Sequence, residues 1–127
     1  MSPLSISLGC QVIMRYLARQ SAECRIGGTI CIGGWFDIGI PDFGDIILPW
    51  CDTKTIDFER LKQVSPKILC FMSDDDSIVA LGPGGNEKQW RELLPESQID
   101  VQTDRGHFVV DALNAHELEV IDNFLGV

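Results

Sequence analysis

The fold is decided by a stretch near the start of the chain, LSISLGC at Leu4–Cys10, which runs directly into the apolar segment QVIMRYLA at Gln11–Ala18. The first of these has the pattern small-x-Ser-x-Gly, with Ser7 at its centre. A chain that doubles back sharply from a strand into a helix needs small residues two positions before and after the tip, because larger side chains would clash there. Ser5 and Gly9 meet this requirement. The pattern therefore predicts a strand, a tight turn and then a buried helix.

Such a turn is a nucleophile elbow, usually written G-x-S-x-G, which exposes its central serine at the end of a sheet. Ser7 is then the candidate nucleophile, and it lies above the positive end of the helix dipole. The backbone N–H of Leu8 would donate a hydrogen bond to an oxyanion. Short Ser and Gly runs before helices are also common as simple N-caps, so this interpretation depends on residues further along the chain.

Length and composition predict one domain, residues 1–127, with a net charge of −9. The acidity disfavours nucleic acid and anionic membranes as partners, since there is no basic patch to neutralise phosphates. No apolar run is long enough to span a membrane, and the first residues lack the pattern of a signal peptide. The five cysteines are scattered without a C-x-x-C pair. This usage predicts a reducing, cytoplasmic setting without a disulfide framework or structural zinc.

Strands and helices alternate along the chain. Continuous apolar runs predict strands at residues 25–36, 67–72 and 99–102, and apolar periodicity predicts helices at 8–19, 57–64, 87–94 and 115–125. Residues 82–86, Gly-Pro-Gly-Gly-Asn, are predicted to form a turn or N-cap region. Strands that are apolar throughout are typical of a parallel sheet covered on both faces. The expected fold class is therefore α/β.

Residues 37–55 contain many helix and strand breakers, and they are predicted to form a long irregular loop. Such a loop with aromatic residues is often a lid or pocket wall, and the alternative is a surface loop anchored by its apolar residues. The candidate residues for an apolar substrate pocket are Trp35, Phe36, Phe43 and Trp50.

Two further candidate catalytic residues follow later strands. Asp76 comes after the second full strand and His107 after the third, and functional residues of parallel sheets gather at the carboxyl ends of strands. The order Ser…Asp…His is the one that α/β-hydrolases use, with His107 as the base for Ser7 and Asp76 holding the imidazole. Asp74 and Asp75 are expected to point to solvent, because buried carboxylates beside Asp76 would raise its pKa. The alternatives are a solvated acidic turn and a structural histidine.

These residues resemble a known family. The elbow at residues 5–9, Ser-Asp-Asp-Asp at 73–76, Thr-Asp-Arg-Gly-His-Phe at 103–108 and His-Glu-Leu at 116–118 look like the small serine hydrolases of the retinoblastoma-binding-protein and YdeN type. That family is a compact branch of the α/β-hydrolase fold. The resemblance covers the chain from Ser5 onward and implies the roles of nucleophile, acid and base for Ser7, Asp76 and His107. His116 is interpreted as a surface histidine.

The sequence departs from this family in two ways. Ser5 and Ile6 stand where the elbow usually has glycine and histidine. The family also has several strands before the elbow, and one of their loops supplies a second oxyanion donor. We therefore expect a chain that lacks the N-terminal half of the fold and is slowed by about 10²–10³-fold for want of one donor. Its uncovered sheet edge would favour self-association.

The leading hypothesis is thus an esterase-type serine hydrolase acting on a small-molecule ester or amide, without a cofactor. A non-catalytic binding module that keeps the fold is the alternative. A third hypothesis is a Mg²⁺ or phosphate site at residues 74–76, since carboxylate oxygens suit hard cations. No lysine or P-loop partner accompanies it in the sequence.

Overall fold

Four parallel strands form one sheet in the computed structural model, which describes residues 2–37, 46, 48–79, 81–109 and 112–127. The strands are β1 (Leu4–Ile6), β2 (Thr29–Ile32), β3 (Ile68–Ser73) and β4 (Gln98–Gln102). Each strand pairs with the next one in the chain, so the spatial order equals the chain order. The predicted α/β fold with a parallel sheet is confirmed.

Helices cover both faces of this sheet. They are α1 (Leu8–Leu17), α2 (Phe58–Val64), α3 (Gly82–Leu93) and α4 (Ala115–Leu125). One buried cluster packs α1, α2 and α3 against strand residues such as Cys31 and Cys70. A second cluster packs α4 against Ile30 and Phe71, whose side chains point to the opposite face. Within the part of the chain that the structure describes, no helix combines the length and apolar character needed to cross a membrane.

Two elements differ by more than two residues from those predicted. β2 is much shorter than the predicted strand at 25–36, and it ends where Gly33, with a φ of +60°, turns the chain away from the sheet. α3 starts at Gly82, so residues 82–86, predicted as a turn or N-cap region, form the first part of a helix. Pro83 is compatible with that position, since an N–H at the start of a helix has no intrahelical partner to lose.

Side-chain caps fix the starts of two helices. Asp57 caps α2 by accepting a hydrogen bond from the Arg60 N–H at 3.0 Å. Asn114 caps α4 in a capping box with Glu117, in which each side chain accepts from the backbone N–H of the other residue. These caps explain why α2 and α4 begin where the sequence pattern predicts.

β1 forms one edge of the sheet and has no neighbour on its outer side among the described strands. Leu4 pairs with Ile30 and Ile6 pairs with Ile32, so both side chains lie on the face to which α4 packs. They stay open to solvent, with Leu4 48% and Ile6 51% exposed. An unpaired edge with exposed apolar side chains favours pairing with another chain.

We expect the purified chain to self-associate through this edge. The substitution Leu4→Lys should shift the protein toward monomer, because a charged side chain on an edge strand opposes strand pairing. Size-exclusion chromatography with light scattering measures the change. Leu118→Lys is the matched control, since Leu118 lies on α4 and is exposed to a similar degree. A wild-type chain that stays monomeric at all concentrations would contradict this expectation.

Candidate active site

Ser7 occupies the turn between β1 and α1 in an unusual backbone conformation. Its φ is 53° and its ψ is −120°, one of three positive φ values at non-glycine residues in the described chain. Such a conformation costs about 1–3 kcal/mol and is often found at functional sites. A hydrogen bond from the Ser7 N–H to the Ile32 carbonyl oxygen, at 2.9 Å, ties the turn to β2. The predicted tight turn at Ser7 is therefore present.

The small residues around Ser7 lie close together. A Cβ atom added at Gly9 would lie 3.6 Å from the Ser5 Cβ, so the two positions pack against each other. Serine in place of the usual glycine at position 5 is accommodated, and its hydroxyl donates a hydrogen bond to the Ile30 carbonyl oxygen at 3.4 Å. The departure at Ser5 therefore leaves the turn intact.

His107 contacts the Ser7 hydroxyl directly. The Ser7 Oγ and the His107 Nε2 are 2.6 Å apart. His107 lies in the turn after β4, between two residues with positive φ, Gly106 and Phe108. The Phe108 side chain is buried in the cluster under α4, and it anchors the turn that presents the imidazole.

Asp76 contacts the other nitrogen of the same imidazole. Its Oδ2 lies 2.8 Å from the His107 Nδ1, and its Oδ1 accepts a hydrogen bond from the Ile78 N–H at 3.0 Å. The Asp76 residue is only 5% exposed. The structure thus brings together the three residues Ser7, His107 and Asp76 in a continuous hydrogen-bonded chain. Their catalytic roles stay predictions.

Asp75 differs from its neighbour Asp74. Both are exposed, as predicted, but Asp75 also makes hydrogen bonds that the sequence did not indicate. Its Oδ1 accepts hydrogen bonds from the Ser73 hydroxyl at 2.5 Å and from the Gly106 N–H at 2.8 Å. These two bonds, the one from Ser73 first, hold the pKa of Asp75 below its usual value. The carboxylate therefore clamps the turn that carries His107.

If His107 acts as the base for Ser7, removing the Asp75 carboxylate should slow the reaction of Ser7 more than it destabilises the fold. In Asp75→Ala the Gly106 N–H loses its acceptor, and we expect labelling of Ser7 by an active-site probe to fall about 10- to 100-fold, the cost of a misplaced catalytic group. Because the pKa of Asp75 is lowered, the carboxylate is ionised and keeps both hydrogen bonds at pH values above the usual aspartate pKa. These hydrogen bonds are lost as pH falls below about 4. Asp74→Ala is the matched control, and an equal loss in both variants would contradict a specific clamp.

The hypothesis of a metal site at residues 74–76 gains no support from these contacts. Asp75 and Asp76 are engaged with two different parts of the His107 turn. Across the described ranges, no group of three or more His, Cys, Asp or Glu side chains is arranged to hold a metal ion. His116, interpreted as a surface histidine, is exposed and contacts the Asp100 carboxylate at 3.1 Å.

The three predicted pocket residues that the structure describes do not form one wall. Trp35 is buried and its indole N–H contacts the Ser7 Oγ at 3.3 Å. The prediction for Phe36 is wrong, because its ring is fully buried in the core against the rings of Phe58 and Trp90. Phe43 lies outside the described residues. Trp50 lines a surface groove with α1 residues and stacks under the Arg15 guanidinium. Trp35 is not among the residues that line this groove.

The predicted oxyanion donor, the Leu8 N–H, belongs to the first residue of α1. An N–H at that position has no acceptor within its own helix, so it is available to a ligand. The helix dipole adds partial positive charge at the same point. Leu8 directly follows Ser7, which places this donor beside the candidate nucleophile.

A buried polar cluster behind the His107 turn was missed by the sequence analysis. Glu117 is fully buried and accepts hydrogen bonds from Arg105 Nε at 3.0 Å and Nη2 at 2.7 Å, from Gln102 Nε2 at 2.9 Å and from the Asn114 N–H at 2.8 Å. We call these four residues the Glu117 cluster. The spacing Asn-x-x-Glu at 114–117 is a capping-box signal that could have indicated Glu117. Its ion pair with Arg105, two residues before His107, depends on the tertiary fold.

Comparison with known proteins shows the fold and leaves the chemistry open. No family model matches the sequence, and no curated protein matches it. The chain is similar to the crystal structure of the ydeN gene product from B. subtilis, with a TM-score of 0.79 and 18% sequence identity over 99% of this chain. The match covers 66% of that protein, so the present chain spans just under two thirds of its length. An identity this low shows only that this α/β fold resembles part of the fold of that protein.

Proposed function

We propose that this chain is a serine hydrolase that transfers an acyl group from a small ester or amide to Ser7 and then to water. The observation that carries the proposal is the hydrogen-bonded chain from the Asp76 carboxylate through the His107 imidazole to the Ser7 hydroxyl. A serine, a base and an orienting acid in hydrogen-bond contact are the arrangement that activates a hydroxyl as a nucleophile. The strained φ of Ser7 agrees with this role.

In the first half of the reaction, the Ser7 Oγ attacks the substrate carbonyl carbon. The hydroxyl proton moves to the His107 Nε2, only 2.6 Å away. Asp76 accepts the hydrogen bond from the Nδ1–H, which keeps Nε2 unprotonated beforehand and stabilises the imidazolium afterwards. The imidazolium then gives its proton to the leaving alcohol or amine, and the acyl-enzyme remains.

In the second half, water takes the place of the leaving group. His107 removes a proton from the water as it attacks the acyl carbon, and the Ser7 Oγ leaves with that proton. The Leu8 N–H stabilises the oxyanion in both tetrahedral intermediates, and one such donor is typically worth about 10²–10³ in rate. The proposal therefore gives Leu8 a backbone role that only a substitution by proline, which has no N–H, would remove.

A fluorophosphonate probe tests this proposal, since it reacts with activated serines. We expect the folded wild-type chain to take up one probe, located at Ser7 by mass spectrometry of the modified peptide. Heat-denatured protein is the control and should take up none. A probe found on Cys10, the buried thiol three residues further on, would mean that Cys10 and not Ser7 is the nucleophile. Folded protein that takes up no probe would favour the alternative, a non-catalytic binding module.

Turnover of a short p-nitrophenyl ester separates a complete reaction from labelling alone. Labelling requires only the attack by Ser7, whereas turnover also requires hydrolysis of the acyl-enzyme. We expect steady release of p-nitrophenol after an initial burst. A burst without further release would mean that the chain acylates but does not deacylate.

A further inference from the structure

The Trp35 indole contacts the same oxygen atom that the proposed reaction uses. Its Nε1–H donates a hydrogen bond to the Ser7 Oγ at 3.3 Å, and the residue is only 1% exposed. The Ser7 hydroxyl has one proton to donate and two lone pairs to accept with. His107 takes the proton and Trp35 occupies one lone pair, so a single lone pair remains to attack a substrate.

Buried polar side chains hold the Trp35 backbone in place. Gln11 is fully buried in α1, and its Nε2 donates a hydrogen bond to the Trp35 carbonyl oxygen at 2.7 Å. The Arg15 Nε in turn donates to the Gln11 Oε1 at 3.2 Å, which fixes the orientation of the amide. A buried amide whose two ends are both bonded holds its partner rigidly.

The residue before Trp35 is fixed from α3. The Gly34 carbonyl oxygen accepts hydrogen bonds from the Asn86 Nδ2 at 3.0 Å and from the Trp90 Nε1 at 3.2 Å. A Cβ atom at Gly34 would lie 2.7 Å from the Trp90 ring, so only glycine permits this approach. Three donors from two helices therefore fix the segment that carries the Trp35 indole, which is the support that a precisely placed catalytic group requires.

We infer that the Trp35 indole N–H is a catalytic hydrogen-bond donor of this site. In the resting protein it fixes the Ser7 Oγ so that the hydroxyl points to His107. As the hydroxyl proton leaves for His107, partial negative charge develops on the Ser7 Oγ before its bond to the substrate is complete. A preorganised N–H in a buried site stabilises such charge without reorganisation. This inference rests on the proposed function and adds a side-chain donor to the Leu8 backbone donor.

The labelling reaction shows where the charge and atoms go. The Ser7 Oγ forms a bond to phosphorus, the hydroxyl proton moves to His107, and the P–F bond breaks to release fluoride. In the product the Oγ is an ester oxygen, a poorer acceptor than a hydroxyl. The donor is therefore needed most in the transition state, and its loss should slow labelling.

The test replaces only the indole N–H. Benzothienylalanine, introduced at position 35 by amber suppression, keeps the shape of tryptophan but has sulfur in place of the N–H. We expect the rate of fluorophosphonate labelling at Ser7 to fall about 100-fold, the loss expected for one donor. The same replacement at Trp50, which stacks under Arg15, is the matched control and should leave the rate unchanged. Trp35→Phe is a second variant that needs no suppression.

The outcomes separate this inference from the function on which it rests. Wild-type protein that takes up no probe would overturn both. Wild-type labelling with an unchanged rate in the position-35 analogue would overturn the inference alone. An NMR measurement adds a readout of the contact itself, since the indole N–H resonance of Trp35 should shift in Ser7→Ala while that of Trp50 stays in place. A Trp35 resonance that does not move would also count against the inference.

Discussion

Replacing His107 with alanine is expected to lower the rate of fluorophosphonate labelling at Ser7 by about 10⁴-fold or more. Without the imidazole, no described side chain within hydrogen-bond reach of the Ser7 Oγ can accept its proton, because the other contact on that oxygen is the Trp35 N–H, which donates. Ser7→Ala removes the nucleophile and should abolish labelling altogether. Gel fluorescence over a time course measures all of these rates.

Asp76→Asn should have an effect of about 10⁴-fold although the protein keeps its shape. An amide at position 76 can donate its N–H to the His107 Nδ1, and the proton then sits on Nε2, which faces Ser7. The imidazole would be in the wrong tautomer to act as a base. Because aspartate and asparagine side chains have nearly the same size, unchanged thermal stability would assign the loss to the tautomer.

The second histidine and an exposed serine supply controls for these variants. His116 is exposed and contacts only Asp100 in the described structure, so His116→Ala should label at the wild-type rate. Ser21→Ala, also exposed, should do the same. Normal labelling of His107→Ala would contradict the proposed base. Loss of labelling in His116→Ala would show that the wrong histidine has been assigned.

The largest effect on stability is expected at the Glu117 cluster. Glu117→Ala leaves the Arg105 guanidinium, with 19% of its side chain exposed, without a counter-ion. Breaking a buried ion pair by removing one partner costs about 3–5 kcal/mol. For a chain of this size that corresponds to a fall in melting temperature on the order of 10–20 °C. Differential scanning fluorimetry measures it directly.

Glu119→Ala is the matched control, since Glu119 lies on the same helix but is exposed. Its effect should stay within about 0.5 kcal/mol, as for most surface substitutions. Glu117→Gln should fall between the two, because the amide oxygen can still accept a hydrogen bond from Arg105 but carries no charge. Equal melting temperatures for Glu117→Ala and Glu119→Ala would contradict the structural role of the cluster.

The same cluster predicts how stability depends on pH. Burial raises the pKa of Glu117, but hydrogen bonds from Arg105, the Asn114 N–H and Gln102 more than offset it, so the pKa lies below the usual value. A carboxylate with a lowered pKa in the folded state contributes stability that is complete above the pKa of the unfolded chain. That contribution is lost as pH falls below about 4. In Glu117→Ala this part of the acid sensitivity should be absent.

The three residues Ser7, Asp76 and His107 could be located from the sequence because each follows a strand, and parallel strands end at one edge of the sheet. Helix α4 could also be predicted, since its apolar spacing and its cap at Asn114 agree with each other. The Gly-rich start of α3 could not, because local propensity there favours a turn. Packing of the Trp90 ring against the core overrides that preference.

The contacts around the site were less predictable than its central residues. From the sequence, an aromatic residue such as Trp35 or Phe36 is expected in either a pocket or a core. The turn after β2 directs the Trp35 indole to Ser7 and the Phe36 ring into the core. The role of Asp75 depends on where the Gly106 N–H comes to lie. Each of these contacts joins residues far apart in the chain, which periodicity and spacing do not report.

The order of the strands also bears on how the protein is made. Because β1, β2, β3 and β4 lie side by side in the order of synthesis, each strand can join the sheet as it leaves the ribosome. Ser7 and His107 are 100 residues apart in sequence, so the nucleophile is synthesised well before its base. A nascent chain that has not yet reached β4 carries a serine without a base. The proposed activity would therefore begin only after β4 and the turn that follows it have been made.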